Sequence, residues 1–194
     1  MIRTLARLAA VLAVLATAAT APGCGPPSGP TTGANRPLPA YAGRAADLFD
    51  DAVDPAAVGM DFDKGYSAKA DPLLRERAQV SDAVLRVKVS TVTGKKDGPE
   101  ATYQLGLHII EKMTGANPPP PDFTVTVNKS SESHGILKNF EGRLVGYPFV
   151  AFVREFVRPD GDHEVHFHLS PDTKAVKDAV GNAVVLGAAG APQQ

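Results

Sequence analysis

From Val80 onward the apolar and polar positions alternate with a period of two. Leu85, Val87 and Val89 fall on one side of an extended chain, and Arg86 and Lys88 fall on the other. That is the pattern of a strand with one buried face. Gly94-Lys95-Lys96-Asp97-Gly98-Pro99 supplies turn chemistry, after which Tyr103, Leu105, Leu107 and Ile109 alternate with Thr102, Gln104, Gly106 and His108. The spacing predicts a long hairpin. Asn117 to Pro121 carries four prolines and reads as a stiff connection into a strand through Phe123, Val125 and Val127. The polar segment Lys129 to His134 is expected at the surface, with Ile136 to Val145 bringing the chain back to the sheet.

The last hairpin is the most sharply specified. Arg158-Pro159-Asp160-Gly161 places proline, aspartate and glycine where a turn followed by a left-handed residue needs them. Such a turn fixes register, so Phe152 should face His168, Arg154 should face His166 and Phe156 should face Glu164. Val153 with Phe167 and Ala151 with Leu169 then form the opposite face, which is expected to be the core.

Helical signals flank the strands. Leu48, Phe49 and Ala52 sit at helical spacing within Ala42 to Val53, ending near Asp54-Pro55, because a residue before proline is pushed out of the α region. Ser170-Pro171-Asp172 predicts the start of a second helix that stops at Gly181. The expected fold class is α+β and β-dominated, a small antiparallel barrel or sheet of about five strands with a C-terminal helix. Asp82 to Val89 also loosely resembles the opening strand of netrin-like OB-fold barrels, a resemblance spanning roughly residues 80 to 170 that implies an OB-like barrel.

The N-terminus follows a different pattern. Arg3 and Arg7 precede a continuous apolar run from Leu8 to Ala19, the length of a secretory signal and short for a membrane span. Ala21-Pro22-Gly23-Cys24 then resembles the lipobox of bacterial lipoproteins, and Cys24 is the single cysteine of the chain. The resemblance implies export, cleavage before Cys24, lipid on that cysteine, and, with Gly25 following, placement at the outer membrane facing the periplasm. Acyl chains at about 0.8 kcal/mol per buried CH₂ would hold the protein on the bilayer. The expected organisation is a signal at 1–23, the lipidated cysteine and a Pro/Gly-rich tether at 24–40, a short helix and extended lead-in at 41–79, the β-rich domain at 80–188 and a tail at 189–194.

Composition narrows the function. A formal net charge of −1 leaves no basic footprint for nucleic acid, and one cysteine excludes an internal disulfide. His166 and His168 share a strand face at a spacing that zinc sites use, but the register sets the positive charge of Arg154 across from His166, so no metal or other cofactor is expected. Ser131, Ser133 and His134 lack a third group to orient them, and no nucleophile elbow occurs. Asp61-Phe62-Asp63-Lys64-Gly65 starts like a calcium loop but lacks its closing glutamate. The expectation is therefore a non-catalytic, membrane-tethered binding or assembly module with an envelope protein partner. Phe152, Phe156, His166 and His168 are its candidate contacts, and a small periplasmic hydrolase or metal-dependent enzyme is the alternative.

Overall fold

A computed structural model describes residues 37–60, 68–69, 71–97 and 100–190. Cys24 and the calcium-loop-like segment at 61–65 lie outside them. The elements, in chain order, are α1 (Arg44–Leu48), β1 (Ala52–Val53), a 3₁₀ turn at Pro55–Val58, α2 (Pro72–Val80), β2 (Ala83–Asp97), β3 (Glu100–Gly115), β4 (Asp122–Val127), α3 (His134–Leu144), β5 (Pro148–Val157), β6 (His163–Pro171) and α4 (Lys174–Gly190). One curled, six-stranded sheet runs in the order β1-β6-β5-β2-β3-β4. It is mixed, since β1 joins β6 in parallel while the other neighbours are antiparallel. The expected α+β, β-dominated, barrel-like domain with a C-terminal helix is what the chain forms.

The last hairpin has the anticipated register, with Phe152 opposite His168 and Arg154 opposite His166. Gly161 takes a φ of 89°, and its amide donates to the Arg158 carbonyl at 2.9 Å. Beneath the sheet, Leu85, Val87, Leu105, Leu107, Val125 and Phe167 pack with Val58 of the 3₁₀ turn and with Ile136, Leu137 and Leu144 of α3. The segment 136–145, expected to bring the chain back to the sheet, is thus largely helix α3. Its apolar residues recur at three- and four-residue steps, which places them along one helical stripe rather than on a strand face.

A second core covers the other side. Val84, Val150, Phe152 and Phe156 pack against Leu48 and Phe49, Leu74 and Ala78 of α2, and Val176, Ala179, Val180 and Ala183 of α4. Helix α2, within the stretch expected to be extended, starts on Asp71, whose Oδ1 accepts from the Leu73 amide at 2.8 Å, with Pro72 in the first turn. Helix α4 starts later than expected, on Thr173, whose Oγ1 accepts from the Val176 amide. Ser170 and Pro171 still belong to β6. The helix continues past Gly181 because Ala183 beyond it is buried against α2, where the Gln79 amide also donates to the Ala183 carbonyl at 3.2 Å. From Pro37 on, the chain forms a single compact unit, and Ala40 bridges Val157.

Candidate functional site

Phe49, between the two short elements α1 and β1, is fully buried and brings Asp50 and Asp51 onto the β6 edge. Asp51 adopts a φ of 51°, a left-handed conformation that aspartate tolerates better than most residues. Its amide donates to the Phe167 carbonyl at 3.0 Å, and the Asp54 amide donates to Leu169 at 2.8 Å, so β1 is stitched along the last strand.

Two carboxylate–imidazole pairs lie side by side on this seam. Asp51 Oδ2 is 2.8 Å from Nδ1 of His166, and Asp50 Oδ1 is 2.8 Å from Nδ1 of His168. Asp51 Oδ1 also accepts from the Phe167 amide at 3.3 Å. Tyr41 closes the site from above, its ring stacked on His166 at 3.4 Å and 5°, while its hydroxyl donates to the Phe49 carbonyl at 2.7 Å. From α2, Arg77 donates through Nε to the Leu48 carbonyl at 2.6 Å and reaches Asp50 at 3.9 Å. Arg154 sets its guanidinium over the Phe156 ring at 5.5 Å.

Burial governs the electrostatics of this cluster. It pushes the Asp51 carboxyl above its ordinary range, and the hydrogen bond and charge of His166 only partly counteract that. Tyr41 is driven well above its ordinary value, first by burial and then by the negative charge of Asp51, Asp50 and Glu164, so its phenol stays protonated. The His166 Nε2 is buried without a hydrogen bond, with Glu164 Oε1 at 3.7 Å. Each pair has the carboxylate–imidazole contact from which general acid–base sites are built. Among the described residues, however, no nucleophile bonds to either imidazole, and no group of three or more His, Cys, Asp or Glu side chains converges as a metal site.

In the segment expected at the surface, Lys129, Ser130 and Glu132 are exposed and Ser131 is half-buried, whereas Ser133 turns inward. Ser133 is buried; its Oγ accepts from the Val53 amide at 2.6 Å and donates to the Val53 carbonyl at 3.2 Å. Ser131 donates to the Asp51 carbonyl at 3.1 Å. His134 opens α3 and meets Tyr103 edge to face, so Ser133 and His134 form no catalytic couple despite their adjacency.

Of the four candidate contacts, Phe152 and Phe156 prove to be core residues at 0% exposure. Their strand face looked half polar because Arg154, Glu164 and the two histidines share it, yet α1, α2 and α4 cover it. His166 and His168 are nearly buried as well, and the structure joins them to partners that the pattern of β6 alone could not indicate. Asp50 and Asp51 lie more than a hundred residues earlier in the chain. The available signal was the adjacent acidic pair following a buried-type Leu48-Phe49. Comparison of the chain with protein-family models, curated proteins and solved structures gives no match.

Proposed function

We propose that this chain is a lipoprotein of the bacterial cell envelope, anchored by lipid on Cys24 at the outer membrane and facing the periplasm, whose domain binds an envelope protein without catalysing a reaction. One observation carries the non-catalytic reading. The groups from which a nucleophilic mechanism would be built, Ser131, Ser133, His166 and His168, are each bonded to carbonyls, amides or carboxylates of the fold itself. The anchor rests on the Arg-led apolar run and the lipobox-like residues before Cys24.

The open part of the sheet is the best surface for a partner. Helices α2 and α4 cover the centre of the upper face, whereas Lys88, Ser90, His108, Thr124 and Thr126 on β2, β3 and β4 are exposed. His108 and Asp122 pair across two of these strands at 2.7 Å. A rigid, hydroxyl-rich sheet face of this kind suits a polar partner held by many modest contacts. The proposed likeness to OB-type barrels finds support in the curl of the sheet, which brings β4 towards β6.

Crosslinking in intact envelopes, followed by mass spectrometry, tests the binding role. It should recover a partner through reporters on Lys88 or Thr124. Recovery of none, together with ester or peptide hydrolysis by the purified protein that is abolished in His134→Ala, would replace binding with catalysis. Processing blocked by globomycin and loss of membrane association in Cys24→Ser are the expected results for the anchor.

A further inference from the structure

Helices α2 and α4 meet along a cleft of about 350 Å³ with an apolar floor formed by Leu74, Ala179 and Ala183. Val185 and Leu186, on its α4 wall, are 69% and 56% exposed, an unusual state for two adjacent large aliphatic residues on a helix that otherwise buries its apolar side. Lys69 and Arg75 stand at the same cleft. Of the acidic side chains in this region, Glu76 is paired with Arg44, Asp178 is paired with Lys174 and also attracted by Lys69, and Asp71 caps α2. An apolar ridge bordered by cations is complementary to a surface that offers acyl chains beneath anionic headgroups.

We propose that this α2–α4 edge docks on the anionic bilayer to which the chain is tethered, with Val185 and Leu186 entering the headgroup region and Lys69 and Arg75 meeting phosphates. The inference builds on the lipoprotein reading. The tether permits it: the stretch between Cys24 and Pro37 can extend to roughly 45 Å at about 3.5 Å per residue, enough to let any edge of a small domain reach the membrane. Docking fixes the orientation of the domain, which a lipid anchor at Cys24 does not set by itself.

The test uses the full chain with Cys24→Ser and Val185→Cys, so that the only cysteine carries a polarity-sensitive fluorophore. Because this variant cannot be lipidated, its result stands independently of the globomycin and Cys24→Ser results that decide the anchor. Vesicles of phosphatidylglycerol should shift the emission at position 185 to the blue and vesicles of phosphatidylcholine should do so much less. The same dye at position 126 on the open sheet face should not respond. Adding Lys69→Glu and Arg75→Glu should weaken the response to phosphatidylglycerol by about tenfold or more, each basic residue near an anionic surface being worth about a factor of five. Emission that stays at its aqueous wavelength would overturn the proposal, even if the chain sediments with the vesicles. Equal shifts on both lipids would overturn the role of the cations. A shift that needs no vesicles and grows with protein concentration would assign the ridge to a second copy of the chain instead.

Discussion

Asp51 and His166 touch at 2.8 Å although 115 residues separate them, and both side chains are largely withdrawn from water. Their contact is the fastening of the β1 segment to the last strand. Asp51→Ala should lower stability by about 1–3 kcal/mol, because a buried imidazole loses its partner. Asp50→Ala should do less, since the Asp50 side chain is far more exposed than that of Asp51. Urea denaturation of the two variants measures both effects, and an equal or reversed order would count against the fastening role.

The raised Asp51 pKa has a defined consequence for pH. A carboxyl that binds its proton more tightly when folded contributes fully below its ordinary value of 3.8, and that contribution is lost as pH rises through the higher folded value. Relative to Asp51→Asn, the wild-type protein should therefore become steadily less stable across that window. A stability difference that is flat with pH would show that burial does not control this group.

Asp172 should behave in the opposite way. Burial alone would raise its pKa, but hydrogen bonds from Lys177 and Arg86 outweigh burial and hold it below the ordinary range. Its contribution is present above the ordinary value and is lost as pH falls through the lowered one. Arg86→Ala, which removes a 2.7 Å contact to Asp172, should lower stability at neutral pH and make it fall less steeply in acid, so that the deficit against wild type narrows as pH drops. Thermal melts between neutral pH and pH 3 would register the change.

Ser133→Ala removes a hydroxyl that serves both the amide and the carbonyl of Val53. The expected loss is about 1–2 kcal/mol, with faster hydrogen exchange at the Val53 amide than at the amides of β5. Unchanged exchange at Val53 would mean that water replaces the serine without penalty.

Two glycines should respond in opposite directions. At Gly115 the φ is +100° and an added Cβ would lie 2.2 Å from the Asp82 carbonyl oxygen, so Gly115→Ala should cost about 2 kcal/mol or more. At Gly181 a Cβ meets nothing within 4 Å and the residue lies inside α4, so Gly181→Ala should stabilise by roughly 0.5–1 kcal/mol. Melting temperatures of the two variants provide the comparison.

The strands were legible wherever register was written locally. Arg158 to Gly161 determined every pair in the last hairpin, and the alternation from Leu85 and from Tyr103 marked β2 and β3. The helices were less legible for specific reasons. Asp71-Pro72 announces α2 but is followed by charged residues that hide the Leu74 and Ala78 stripe, and Gly181 is a stop signal that burial of Ala183 overrides. At the candidate site, the H-x-H spacing placed His166 and His168 together correctly. Their bonding could not be read, because it depends on a chain reversal that carries Asp50 and Asp51 to the far edge of the sheet. The burial of Phe152 and Phe156 was hidden for the same reason: the helices that cover their face come from distant parts of the chain, and His166 and His168 take Asp51 and Asp50 as partners.

The parallel pairing of β1 with β6 also bears on how the chain is made. Ala52 and Val53 find their strand partners at His168 and Leu169, so a polypeptide emerging amino end first holds its first strand without a neighbour until nearly the whole domain has appeared. No early fragment can close this edge. Completion of the sheet is therefore a late event in synthesis, and the segment from Phe49 to Asp54 is the part of the fold that a holding chaperone would have longest within reach.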